Sequence, residues 1–136
     1  MRAEVLPTPG AHGHVRVRFT ADPASDQWLA RPRAFLTRRP DGDYLEFEPQ
    51  VDYLGREVKR RPYRADELVL VPAGTSVDSD EVDLRSSYDL PDGEAVRLRY
   101  VAYHPLAGPE AGGGPFEPVE SDWVTLDLRE AVGHNR

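Results

Sequence analysis

The chain contains no cysteine, which excludes disulfides, zinc–thiolate sites and thiol catalysis. It has 136 residues, a length that fits one domain. A domain of this size buries roughly two thirds of its unfolded surface, so it can fold without a disulfide or a metal. We therefore expect a single domain that is held together by an apolar core and carries no cofactor.

Long apolar runs and an excess of basic charge are also missing. No run approaches the ~20 residues of a membrane-spanning helix. Residues 1–13, MRAEVLPTPGAHG, lack the apolar segment of a secretory signal. We expect no membrane contact and a cytoplasmic location, or secretion if a leader has been removed. The net charge is −7, and phosphate backbones select basic surfaces, so nucleic acid is not an expected partner.

No segment has a sustained 3.6-residue apolar period, and we identify no internal repeat, so helix content should be very low. Apolar and polar residues alternate instead over residues 15–19, 95–103 and 124–128. Turn signals such as Asp41-Gly42 and Pro72-Ala73-Gly74 separate such runs. The pattern predicts an all-β fold, an immunoglobulin-like antiparallel β-sandwich of roughly seven or eight strands.

We assign the sandwich to residues 14–130. Residues 1–13 hold two prolines and two glycines without periodicity and are expected to form a flexible arm. Residues 131–136 are expected to form a flexible tail. Residues 104–118 are poor in apolar side chains and rich in Gly and Pro, which predicts a long loop, either functional or disordered.

One segment concentrates basic charge, with Arg56, Lys59, Arg60, Arg61 and Arg64 close together. On an acidic protein such a cluster is the best candidate for a partner-binding surface. The alternative is that these side chains pair with neighbouring glutamates, and such surface pairs are common and individually weak.

Catalytic and metal-binding constellations are weak. His12 and His14 could share a metal, but two imidazoles without a third ligand rarely make a specific site. Ser86, Ser87 and His104 could supply a nucleophile and a base. However, no glycine-bounded elbow surrounds either serine, and no carboxylate is placed by spacing to orient the histidine. We expect a protein that is not an enzyme.

Four carboxylates, Asp78, Asp80, Glu81 and Asp83, form an acidic cluster that calcium could use. The spacing differs from that of an EF-hand loop, and alternation in a strand would divide the side chains between two faces. A charged, solvated edge strand is therefore the favoured interpretation.

Three aromatic residues have structural interpretations. Trp28 and Trp123 are expected in the core or covering a sheet, with ligand stacking as the alternative. Tyr88 could be a tyrosine-corner residue, and the simpler interpretation is a half-buried core tyrosine.

Several segments resemble the N-terminal Ig-like domain of secreted zinc endopeptidases of the deuterolysin and peptidyl-Lys class. The principal ones are residues 55–62 (GREVKRRP), 72–76 (PAGTS) and 82–90 (VDLRSSYDL), with weaker matches at 15–19, 25–27, 39–42 and 121–126. In that family the domain acts as a pro-segment that assists folding and restrains the protease. The 136 residues contain no HExxH zinc motif, so we expect the protease domain of that family to be absent.

The resemblance covers about residues 14–130. It implies a free-standing, non-enzymatic protein-binding domain, an inhibitor or folding chaperone that acts in trans on a zinc metalloprotease. The alternative function is a structural or assembly subunit that uses an Ig-like fold for protein–protein contacts.

Overall fold

The computed structural model describes residues 1–10, 12–30, 44–52, 54, 68–91, 93–106, 108 and 115–128. These residues are mostly in antiparallel β-strands, with one 3₁₀ turn at Leu84–Ser86, so the all-β prediction is confirmed. In this part of the chain no helix has the length and apolar character needed to cross a membrane.

The described strands form two four-stranded sheets and a two-stranded ribbon. They are β1 (Arg2–Pro7), β2 (His14–Thr20), β3 (Gln27–Ala30), β4 (Tyr44–Glu48), β5 (Leu68–Val71), β6 (Ser76–Asp78), β7 (Val82–Asp83), β8 (Ala95–Pro105), β9 (Phe116–Glu120) and β10 (Val124–Asp127). In the first sheet, β2 pairs with β1 on one side and with β6 and β7 on the other. In the second sheet, β8 pairs with β4 on one side and with β9 and β10 on the other. Strands β3 and β5 form the ribbon.

The inner faces of the two large sheets contribute to one apolar core. The alternation along the central strands puts every second side chain into it: Val15, Val17 and Phe19 from β2, and Val96, Leu98 and Tyr100 from β8. Phe19 and Tyr100 meet edge to face, with ring centroids 5.4 Å apart. A one-residue slip in the register would expose these side chains to water, at a cost of roughly 1.5–3 kcal/mol for each large one. Core burial therefore fixes the strand register.

The prediction of a flexible arm over residues 1–13 is wrong for Arg2–Pro7, which forms β1. Ala3 and Val5 are buried, and the strand pairs with β2 from Arg2 opposite Thr20 to Pro7 opposite Val15. Two small apolar residues beside a proline give little sequence signal, and the pairing with β2 supplies the order instead.

The prediction of a loop over residues 104–118 is wrong at both ends. Strand β8 continues to Pro105, and β9 begins at Phe116 directly opposite it. The Leu106 N–H donates to the Pro115 carbonyl at 2.8 Å, which closes the pair as a hairpin. Proline is accommodated at position 118 because, among the described strands, β9 pairs along one side only.

The structure has ten described strands, more than the predicted seven or eight, partly because a bulge interrupts one strand in each sheet. Asp78 pairs with Arg18 and Val82 pairs with Val15, so three residues (79–81) lie opposite two (16–17). The extra residue makes a β-bulge. The second sheet has a bulge of the same size between β9 and β10, where the three residues 121–123 lie opposite the two residues 99–100.

The two bulges share a sequence pattern, so the expectation of no internal repeat is wrong. Residues 77–84 (VDSDEVDL) and 119–126 (VESDWVTL) both follow V-x-S-D-x-V-x-L. Ser79 donates its N–H to the Val17 carbonyl at 2.8 Å and accepts the Val17 N–H on Oγ at 2.9 Å. Ser121 makes both bonds to Tyr100, each at 2.9 Å. Each serine hydroxyl also donates to the carbonyl of the following aspartate at 3.0 Å.

Candidate functional site

Exposed apolar side chains gather where the β8–β9 hairpin ends. Tyr103 is 40% exposed, Leu106 is 52% exposed and Phe116 is 37% exposed. Phe116 lies opposite Pro105, and Tyr103 lies two residues before Pro105 on the same strand. We call Tyr103, Leu106 and Phe116 the hairpin-end surface. Leu54 and Leu70 are also exposed, but they lie outside this hairpin.

A cleft of about 200 Å³ lies beside this surface. Its lining includes Met1, Gln27, Trp28, His104, Leu106 and Glu117. We call it the His104 cleft. His104 and Glu117 are partners in the β8–β9 register, which places them side by side across the hairpin. A Cβ on Gly108 would lie 2.7 Å from Cζ2 of Trp28, so the backbone at this glycine lies against the indole.

His104 is a buried polar residue, with 2% of its surface exposed. Its Nε2 lies 3.1 Å from the Tyr100 hydroxyl, and its ring packs against Phe19 with centroids 5.3 Å apart. Its Nδ1 is buried and has no hydrogen-bond partner among the residues that the structure describes. Burial, and to a lesser extent the positive N-terminal ammonium, lowers the pKa of His104 from 6.5 to about 4. The imidazole is therefore neutral at physiological pH.

The outer face of the second sheet carries a stacked cluster around Trp123. The guanidinium carbons of Arg97 and Arg99 each lie 4.9 Å from the centroid of the Trp123 ring. Arg97 donates to Glu48 at 2.9 Å, and Arg99 donates to Glu120 at 2.7 Å and to Glu46 at 3.1 Å. Both cations are thus matched by carboxylates, which argues for a structural cover on the sheet and against an anion site. The bulge at Ser121 places the indole on this face.

The outer face of the first sheet is charge-paired. Arg18 binds Asp78 through two hydrogen bonds of 2.7 and 3.0 Å. Glu81 accepts from the Thr8 hydroxyl at 3.0 Å and lies 3.1 Å from His14 Nδ1, and these bonds lower the pKa of Glu81. The bulge brings Asp78, Glu81 and Asp83 to the face that carries His14 and Arg18, so the expected alternation between two faces does not hold for these three carboxylates.

The other candidate residues that the structure describes do not assemble into one site. The basic cluster of Arg56, Lys59, Arg60, Arg61 and Arg64 lies outside the described residues. The Ser86 hydroxyl donates to the Asp83 carbonyl at 2.7 Å, while His104 bonds to Tyr100. His12 donates from Nδ1 to the Asp127 carbonyl at 3.1 Å, whereas His14 bonds to Glu81. Among the described residues, no group of three or more His, Asp or Glu side chains is arranged to hold a metal ion.

Comparisons with known proteins do not identify a family for this chain. No protein-family model matches the chain, and a search of curated proteins finds no match.

The sequence reasoning missed both the hairpin-end surface and the His104 cleft. Tyr103 directly precedes residues 104–118 and Phe116 lies within them, so a loop over this segment gives no indication that both side chains are exposed on paired strands. The cleft combines residues from β3, β8 and β9, which come together only through the tertiary fold. The repeated V-x-S-D-x-V-x-L pattern was the one available sequence signal for the bulge that exposes Trp123.

Proposed function

We propose that this chain is a non-enzymatic protein-binding domain that engages its partner through the hairpin-end surface. The observation that carries the proposal is the clustering of Tyr103, Leu106 and Phe116 at one end of one hairpin. Exposed apolar side chains scattered singly are normal, whereas a contiguous group marks an interaction site. Aromatic residues are also the type enriched at the centres of protein interfaces.

Charge indicates the chemistry of the partner. The chain carries a net charge of −7, and Glu117 and Asp26 line the cleft beside the hairpin-end surface. A partner with a basic rim around an apolar centre would be complementary, which favours fast association and discriminates against acidic competitors.

The fold and the resemblance give this proposal a more specific form. The two facing sheets, the 3₁₀ turn at Leu84–Ser86 and the buried Tyr88 that follows it support an Ig-like sandwich. The similarity to zinc-endopeptidase pro-domains supports a zinc metalloprotease as the partner, inhibited or assisted in folding by this domain in trans.

Photo-crosslinking tests the surface. A p-benzoylphenylalanine at position 103 is compared with one at position 70, where Leu70 is 45% exposed on strand β5. We expect one partner to crosslink at 103 and not at 70, and mass spectrometry identifies it. The double substitution Tyr103→Ser with Phe116→Ser should weaken binding of that purified partner by more than ~10-fold, since buried aromatic anchors dominate binding energy. Leu70→Ser should leave it unchanged.

Three results would contradict this proposal. Equal crosslinking at both positions would show that the partner does not bind specifically at the hairpin-end surface. Unchanged affinity of the double variant would show that these side chains are not anchors. Crosslinks between copies of this chain alone would favour the structural or assembly subunit. When a zinc endopeptidase is captured, its peptidase activity with and without the domain tests inhibition directly.

A further inference from the structure

The His104 cleft has the features of a subsite for one side chain of a partner. Its volume of about 200 Å³ is below the ≈ 300–1,000 Å³ of cavities that hold drug-sized ligands. It opens beside the hairpin-end surface, because Leu106 belongs to both. A partner that contacts Leu106 would therefore have a side chain within reach of the cleft.

Glu117 supplies an available negative charge in this cleft. It is half-buried, and within the described part of the chain it makes no hydrogen bond or ion pair. The other glutamate on strand β9, Glu120, faces the opposite side of the sheet and is bonded to Arg99 at 2.7 Å. Asp26 adds a second carboxylate to the lining, with Oδ1 already accepting the Ala73 N–H at 2.8 Å.

His104 is a second, independent indication of a ligand. It lines the cleft, is 2% exposed, and within the described part of the chain leaves Nδ1 without a hydrogen-bond partner. A buried polar atom without a partner costs free energy, and native proteins keep few of them. When Nε2–H donates to the Tyr100 hydroxyl, Nδ1 is an acceptor, as is the Glu117 carboxylate. The cleft therefore offers acceptors to a ligand that carries several N–H donors. Met1 also lines the cleft and its N-terminal ammonium acts on His104, so a cationic ligand binds only if the carboxylates of Glu117 and Asp26 outweigh that charge.

Trp28 contributes an aromatic ring to the lining of the cleft. The backbone at Gly108 lies against this ring. Planar guanidinium groups stack on indole rings and donate in parallel to a carboxylate, which the compact ammonium of lysine cannot do.

We propose that the His104 cleft binds an arginine side chain of the protein partner, with the guanidinium paired to Glu117 and stacked on Trp28. This inference rests on the proposed function for the source of the arginine. The recognition chemistry itself belongs to the cleft and can be measured without the partner.

The test uses small probes, N-acetyl-arginine methylamide and its neutral isostere N-acetyl-citrulline methylamide, titrated into the ¹⁵N-labelled full chain. The indole N–H signals of Trp28 and Trp123 report on the two surfaces separately. We expect saturable shifts at the Trp28 indole with the arginine probe and about tenfold weaker binding of the citrulline probe. Glu117→Gln should weaken arginine binding to a similar degree, whereas the matched control Glu120→Gln on the same strand should not.

Two results would overturn the proposal: equal binding of the two probes, or shifts confined to the Trp123 indole. Loss of binding in Glu120→Gln as well as Glu117→Gln would also overturn it, because a general loss of negative charge would then explain both. These outcomes leave the crosslinking result at position 103 untouched, so failure of the subsite is distinguishable from failure of the protein-binding function.

Discussion

The bulge at Ser79 and the bulge at Ser121 make the same backbone contacts but carry different side chains on their outer faces. In both, the residue two positions after the serine lies over two side chains of the central strand. Glu81 lies 3.1 Å from His14 and 3.9 Å from Arg16 in the first sheet. In the second sheet, Trp123 lies over Arg97 and Arg99 at the same relative positions.

The comparison of the two bulges distinguishes two roles within the shared sequence pattern. The serine and the aspartate after it fix the backbone, because the serine hydroxyl replaces a ladder partner for the central strand. The outer position is then free to vary, and one sheet uses it for charge pairing while the other uses it for stacking. The comparison extends to the central strands, where β2 carries His14 on its outer face and β8 carries His104 in the interior.

The largest expected effect is on the pH dependence of stability, and it arises from His104 and not from His14. Because burial lowers the pKa of His104 from 6.5 to about 4, the unfolded chain binds a proton more readily than the folded one. The associated stability is fully present above pH 6.5, falls as the pH drops, and is lost by about pH 4, a change of about 3 kcal/mol. Urea unfolding at stepped pH measures it.

The variant His104→Phe should flatten this pH dependence, whereas His14→Gln should retain it. Identical slopes for the wild type and His104→Phe would show that another group causes the acid loss. The comparison of slopes stays valid if His104→Phe is less stable overall, since the midpoint is measured at each pH.

A smaller effect distinguishes the two serines. Ser121 is buried, so Ser121→Ala leaves the Tyr100 N–H without its partner in the core, at a cost of about 2 kcal/mol. The Val17 N–H bonded to Ser79 is only partly buried, and Ser79→Ala should cost about 1 kcal/mol. The free energy of unfolding in urea gives both values. A larger loss for Ser79→Ala would show that the burial of the bonded N–H group does not set the cost.

The smallest expected effect is at Glu81. Hydrogen bonds from Thr8 and His14 lower the pKa of Glu81 from 4.5, so its contribution to stability is present above pH 4.5 and disappears as the pH falls below that value. Glu81→Gln should reduce stability slightly at neutral pH and low salt, with no difference from wild type in strong acid. The exposed residue Glu94 supplies a control, Glu94→Gln, which should behave as wild type throughout.

Much of the fold could be predicted because burial on one face imposes a period of two. That period identified β2, β8 and β10, and the Pro72-Ala73-Gly74 turn is confirmed by a positive φ of 71° at Gly74. Strand β1 was missed because its buried residues, Ala3 and Val5, are too small and too few to stand out. The cleft could not be predicted from the sequence for a different reason, since Trp28 and His104 approach each other only through pairing and packing of separate strands.

The two bulges also affect how the molecule meets other copies of itself. Among the described strands, β6 and β7 form one border of the first sheet, and β9 and β10 form one border of the second. A bulge twists a border strand and breaks its row of available N–H and C=O groups. An incoming extended chain would find only a short straight run on either side, which is how natural β-proteins resist aggregation through their edges. The same serines that complete the hydrogen bonds of the central strands therefore help to keep these two borders from acting as templates for fibre growth.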